Sequence, residues 1–153
     1  MRWTQGRQEI DRLLADDHLE RVPPNRKHAD LLMAQARRHL ASASKLTDDP
    51  EAGYAVLYDA ARKALWAILA NQGLRPTTRG SHLTAYQAVL AQLHPPLGEV
   101  LRPFDRIRRE RRSAEYPNLD DPSLTAEDVV DDLPKVAAIV DVADRVLDRM
   151  SPY

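Results

Sequence analysis

The stretch YAVLYDAARKALWAILA, residues 54–70, decides the fold. Wound on a helix it is apolar almost all round, with only Asp59, Arg62 and Lys63 forming a narrow polar stripe. A helix of that kind belongs in the middle of a bundle, where neighbours cover it on most sides. Its six alanines from Ala55 to Ala70 favour the helical state and let neighbouring helices approach closely. Both ends are signalled. In the tract TDDP, Asp49 is placed to cap free amides and Pro50 suits the first helical position, while Gly73 stops the helix. The spacing predicts a central helix over residues 50–72.

Towards the N-terminus, Ala29, Leu32, Ala36, Leu40 and Ala43 recur at three- and four-residue steps, which marks one buried stripe of a long helix over residues 25–46. Arg26, Arg37 and Lys45 fall on its opposite side. Pro23 and Pro24 end an earlier segment, because the residue before a proline is pushed out of the α region. In that segment Ile10, Leu13 and Leu14 sit at helical spacing, so residues 1–22 read as an N-terminal helical arm, helical over residues 4–21.

Towards the C-terminus, Ser81 is a candidate cap for a helix running to Leu93 and closed by Pro95 and Pro96. Another helix starts between Leu97 and Pro103 and continues to Glu115, followed by the turn-rich PNLDDPSL. Thr125, with Asp128 three residues on, resembles a capping box. It opens a last helix in which Val129, Leu133, Val136, Val140, Ala143 and Leu147 repeat in a four-three rhythm. Ile139, Val142 and Val146 give that helix a second apolar face, and Pro134 predicts a kink or a later start. No strand signal is visible. The fold class is all-α, an antiparallel bundle of five to six helices in a single domain over residues 1–153.

A chain of 153 residues buries roughly two thirds of its unfolded surface and needs no disulfide or metal to fold. The absence of cysteine removes thiol nucleophiles and thiolate metal sites. His18, His28, His39 and His94 show no metal-ligand spacing, and neither metal nor cofactor is expected. No apolar run of ~18 residues exists, and MRWTQGRQEIDR lacks the apolar centre of a signal peptide, so no membrane association and a cytoplasmic location are expected. A net charge of -1 speaks against general capture of nucleic acid, and any such contact has to come from a local patch.

That patch is RPFDRIRRERRSAEYP, residues 102–117. On a helix, Val100, Phe104, Ile107 and Ala114 share an apolar face and Arg111 falls at its centre. A guanidinium there needs an anionic or carbonyl partner, because it cannot deprotonate. Glu115, one turn on, and Asp59 on the central helix are the two candidates. Either could hold Arg111 as a positioned cation in a cleft, or tie two helices together. Tyr116 offers a phenol at the edge. Arg102, Arg106, Arg108, Arg109 and Arg112 read as a solvated face, and Asp59, Arg62 and Lys63 as an internal polar network.

Four segments, ERVPPN (20–25), YDAARKALWAILANQGLRP (58–76), GSH (80–82) and RIRRERRSAEYP (106–117), together resemble the HEPN domain superfamily, and within it an actinobacterial branch. The resemblance implies a helical bundle with a polar motif on a late helix. It also implies an activity among those of the superfamily, which are metal-independent ribonucleases, toxins of toxin–antitoxin pairs, and noncatalytic nucleotide-binding partners of nucleotidyltransferases. Catalytic members carry an arginine, a polar residue and, a few residues later, a histidine. Here Arg111 matches the motif arginine, Arg112 stands where asparagine is usual, and Ala114 or Glu115 stands in place of the histidine. Tyr116 matches a motif tyrosine that partner nucleotidyltransferases modify in some toxins.

Cleavage of RNA by its own 2′-hydroxyl needs a group that exchanges protons near neutral pH, which arginine cannot supply. Glu115 would serve if burial raised its pKa, and His82 if the fold brought it close. The resemblance therefore implies a protein that binds or acts on RNA or a nucleotide within a toxin–antitoxin or defence pair. Arg111, Glu115, Tyr116 and His82 are its candidate catalytic residues, and Arg108, Arg109 and Arg112 its candidate phosphate contacts. A homodimer joined through the Arg111 faces is expected. The alternative is a noncatalytic or antitoxin module that pairs with a nucleotidyltransferase.

Overall fold

A computed structural model describes residues 3–80, 82–120 and 122–153, with the side chain of residue 82 excluded. The central helix forms where its sequence places it, as α3 (Pro50–Gln72). The Asp49 carboxylate accepts from the Ala52 amide, Pro50 lies in the first turn, and Gly73 closes the helix at φ 81°. Along α3, Tyr54, Leu57, Tyr58, Ala60, Ala61, Ala64, Leu65, Ala67, Ile68 and Leu69 are all buried. This is the all-round burial expected of a helix whose polar stripe is only three residues wide.

The helix α2 (Arg26–Ala43) packs along α3 as the other arm of a hairpin, burying Ala29, Met33, Ala36 and Ala43. Alanine on both sides of this seam permits a close approach. The last helix, α7 (Ala126–Val146), covers both. Its capping box is complete: the Thr125 hydroxyl accepts from the Asp128 amide and the Asp128 carboxylate accepts from the Thr125 amide. Arg26 reaches Asp148 at 2.8 Å and Arg37 reaches Asp144 at 2.7 Å, so the polar side of α2 is tied to the end of the chain. Of the two alternatives at Pro134, the later start does not occur: the helix runs from Ala126 through it. Pro134 is exposed and so is Val130, whose carbonyl loses its helical donor, so water can replace the missing bond.

The first segment departs from a continuous helix. The helix α1 (Arg7–Ala15) buries Ile10 and Leu13 against α4 (His82–Leu93). It then stops where Asp17 adopts φ 61°. Residues Leu19–Arg21 form β1, antiparallel to β2 (Leu74–Pro76), with Leu19 opposite Pro76 and Arg21 opposite Leu74. Strands this short cannot display a period-two pattern. Gly73 serves this junction as well as the end of α3. A Cβ there would lie 2.6 Å from the Val22 carbonyl oxygen, and the Val22 amide donates to the Gly73 carbonyl at 2.9 Å.

The cap proposed at Ser81 lies outside the described residues. The short α5 (Gly98–Leu101) leads into α6 (Pro103–Glu115), the arginine-rich helix. Phe104 pins α6 to the core, its ring 5.7 Å from that of Tyr58 and 5.5 Å from that of Tyr86. No helix among the described residues is long and apolar enough to cross a membrane.

Candidate functional site

The helix α6 carries an apolar side, which Phe104 and Ile107 bury completely, and two polar flanks. One flank lines a hollow of about 470 Å³ with Arg108, Arg111, Arg112, Glu115 and Tyr116, which Tyr58 of α3 and Gly80 of the α3–α4 connection complete. An adjoining hollow of about 450 Å³ adds Arg109, Ser113 and Asn118 and shares Arg108, Arg112 and Tyr116. The other flank faces a hollow lined by Glu51, Glu110 and Asp128. Opposite charges thus segregate across one helix, which reconciles a basic cleft with a net charge of -1.

Within the cleft, Arg111 donates to the Glu115 carboxylate at 2.6 Å, and its guanidinium lies 5.6 Å from the Tyr58 ring centroid. Its side chain is one third exposed, so it is not the buried cation expected at the centre of the apolar face. The core ends one turn earlier, at Ile107, and Arg111 lies over its aromatic rim. Asp59, the other candidate partner, pairs with Arg62 at 3.3 Å instead. Arg108 donates to Asp105 through two nitrogens, at 3.0 and 2.8 Å, and Arg109 stands 3.5 Å from the same carboxylate. Arg112 is exposed and has no ion-pair partner among the described residues.

Tyr58 is buried, and its hydroxyl pKa is pushed up to about 12, chiefly by burial and against the pull of Arg62, Arg108 and Arg111. It therefore stays neutral and presents the cleft with a π surface and a rigid wall. Tyr116 is 69 % exposed at the mouth, with Leu119 fully exposed beyond it. Glu115 has a side chain 45 % exposed and bound to Arg111, so the burial that a proton-transferring role required is not there. His82 is the first residue of α4 and follows two positions after Gly80, but its side chain lies outside the described residues. Among the described residues no group of three His, Asp or Glu could hold a metal ion.

Arg106, whose side chain is 40 % exposed, lies on the solvated face to which its sequence context assigned it and also reaches a buried partner. Its two terminal nitrogens clamp Asp132 of α7, at 2.6 and 3.1 Å, and the Tyr54 hydroxyl donates to the same carboxylate at 2.8 Å. Lys135 stands 3.3 Å away, and Arg106 also donates to Glu110 at 3.1 Å. Asp132 is only 4 % exposed. Burial pushes its carboxyl pKa up, but Arg106 and Tyr54 more than offset this and hold it below the ordinary value. The network joins α3, α6 and α7 and so fixes the helix on which the cleft is built.

A family model for the HEPN domain matches residues 29–147, from within α2 to the end of α7. The chain belongs to the HEPN domain family. No curated protein and no solved structure matches it. The matched part of this HEPN chain contains all of α3, α4 and α6, and with them every residue of the arginine cleft. It leaves out α1 and β1. Sequence reasoning missed Tyr58 and Gly80 as cleft walls. Both lay inside the segments that carried the resemblance, yet nothing local ties position 58 to position 111.

Proposed function

We propose that this HEPN protein binds RNA or a nucleotide in the arginine cleft of α6 and serves as one half of a toxin–antitoxin or similar defence pair. The observation that carries this reading is the convergence of Arg108, Arg111 and Arg112 with the rings of Tyr58 and Tyr116 around one hollow of about 470 Å³. Guanidinium forks match phosphate oxygens, and aromatic faces accept a base or ribose beside them. Among the described residues Arg112 has no carboxylate to give up on binding. Arg111 exchanges an exposed ion pair, an interaction of small net value in water, for a phosphate. Two copies meeting through the faces that carry Arg111 would line one continuous phosphate path. The actinobacterial branch of the family and a cytoplasmic setting belong to the same reading.

Binding is favoured over cleavage because the Glu115 side chain, 45 % exposed, lacks the burial that a proton-transferring role requires, and neither Arg111 nor Arg112 can move a proton. Were the chain a metal-independent ribonuclease, the arginines would stabilise the phosphorane. Proton transfer would then fall to Tyr116, Glu115 or His82. A second reading, a noncatalytic module partnering a nucleotidyltransferase, is favoured by the exposed Tyr116 and Leu119 beside the cleft.

The test is induction of the chain alone in cells, beside an Arg111→Ala version, with crosslinked recovery of bound RNA and nucleotide and inspection of total RNA. Recovery from the wild type that the substitution removes, with total RNA intact, is the expected result. Folded protein that recovers neither RNA nor nucleotide would overturn the proposal in favour of the partner module. RNA cut only when Arg111 is present would establish catalysis.

A further inference from the structure

We propose, on the reading of the arginine cleft as a binding site, that the turn between α1 and β1 positions one wall of that cleft. It acts through Thr77, which is thereby a positioning residue for the bound ligand. Among the described residues that line the hollow, Gly80 alone comes from outside α3 and the α6 segment. It lies in the α3–α4 connection, four residues beyond the end of β2. Where this connection stands sets how far the hollow opens in front of Tyr58 and Arg111.

The turn holds the connection through one side chain. Asp17, at φ 61°, carries the chain out of α1, and the carbonyls of Asp17 and His18 both accept from Thr77. The Thr77 hydroxyl donates to Asp17 at 2.5 Å, and the Thr77 amide donates to His18 at 3.0 Å. The same hydroxyl accepts from the Gly80 amide at 3.1 Å. A hydroxyl both donates and accepts, so a single oxygen ties the turn to the wall residue. Gly80 is also fitted to the turn by shape. A Cβ there would overlap the His18 carbonyl oxygen and stand 3.3 Å from the Thr77 nitrogen. The space that a side chain would need is filled, so an alanine at this position has to move the connection.

The turn is itself anchored. Ile10 and Leu13 of α1 are buried, the His18 amide donates to the Leu13 carbonyl at 2.9 Å, and the Asp17 amide donates to the Leu14 carbonyl at 3.2 Å. Leu19, the next residue, is buried and pairs with Pro76. The wall is thus tied to the end of a helix that is seated in the core. A wall preformed in this way spares the ordering that a loose one would undergo on binding. Neither His18 nor Thr77 lines the hollow, so their effect on a ligand passes through Gly80. The turn lies outside residues 29–147, and the support for this wall therefore comes from a segment that the HEPN model leaves out.

The test is fluorescence anisotropy of a labelled single-stranded RNA titrated with the full chain over a series of salt concentrations, alongside urea unfolding. Thr77→Val keeps the shape of the side chain and removes its hydroxyl. It is expected to weaken binding about fivefold, with the slope of log affinity against log salt unchanged because every arginine remains. Thr77→Ser, which keeps the hydroxyl, is expected to bind as the wild type does. Thr78→Val, the same exchange at an exposed neighbour, is expected to change neither affinity nor slope. Gly80→Ala disturbs the same wall from its other end and is expected to weaken binding by a similar factor, so it serves should Thr77→Val fail to fold. Wild-type affinity in a folded Thr77→Val or Gly80→Ala protein would overturn the proposal. So would a Thr77→Ser protein as weak as Thr77→Val, or a salt slope that falls in Thr77→Val. A wild-type chain that does not bind the RNA would remove RNA from the cleft and overturn this proposal with it, whereas equal binding by the wild type and Thr77→Val leaves the reading of the arginine cleft intact.

Discussion

Arg106 and Arg111 lie on one helix, five positions apart, and do opposite things. Arg106 clamps a carboxylate that is 4 % exposed and is braced by a buried tyrosine, so its charge is consumed by the fold. Arg111 pairs with a carboxylate that is 45 % exposed and rests on an aromatic rim, so its charge can be handed to a ligand. Residue type does not separate a structural arginine from a functional one. The exposure of its partner does, because an ion pair in water is weak and exchangeable while a desolvated one cannot be opened cheaply.

The strongest way to break the comparison is Arg106→Ala, which strands the Asp132 carboxylate with Tyr54 and Lys135. A loss of about 3 kcal/mol is expected, read as a fall in the urea midpoint, with RNA binding retained by whatever remains folded. Acid should reveal the same pair. Asp132 has a folded pKa below its unfolded value of 3.8, so its contribution is present above that pH and is lost as the pH falls through the folded value. The acid limb of a stability profile should flatten in the Arg106→Ala protein.

Next in size is Arg111→Ala. A change in stability below about 1 kcal/mol is expected for an exposed pair, with a loss of about tenfold in affinity for single-stranded RNA. A destabilisation as large as that of Arg106→Ala would erase the distinction. Arg112→Ala should act more gently, lowering the slope of log affinity against log salt by about 0.7 for the one phosphate contact removed. An unchanged slope would remove Arg112 from the interface.

The smallest effect concerns a pair of intermediate exposure. Lys63 stands 2.7 Å from His39 Nε2, and burial, then Lys63, lowers the His39 pKa below 6.5. The neutral ring is favoured in the fold, so its contribution is present above pH 6.5 and is lost as the pH falls through the folded value. A slight drop in the urea midpoint over that range, absent in His39→Gln, would place this pair between the two extremes.

The bundle was legible because its signals are local. Asp49, Pro50, Gly73 and the Thr125–Asp128 box each speak for a helix end within a few residues, and the apolar rows each speak for one face. The motif segments brought the arginine cleft into view as a group, and the structure places Arg108, Arg111, Arg112, Glu115 and Tyr116 around one hollow. What escaped depends on pairs distant in sequence. Asp132 meets Arg106 from 26 residues away and Tyr54 from 78, and on α7 it reads as one more polar residue between apolar ones. The β1–β2 pair escaped for the same reason, since Leu19–Arg21 extends only because Leu74–Pro76 lies beside it.

The most direct measurement is fluorescence anisotropy of a labelled single-stranded RNA titrated with the wild type, Arg106→Ala and Arg111→Ala, alongside urea unfolding of each. A crossed result is predicted: Arg106→Ala loses stability and keeps its RNA affinity, while Arg111→Ala keeps stability and loses about tenfold in affinity. Equal RNA affinity for the wild type and a folded Arg111→Ala protein would contradict the division of labour along α6.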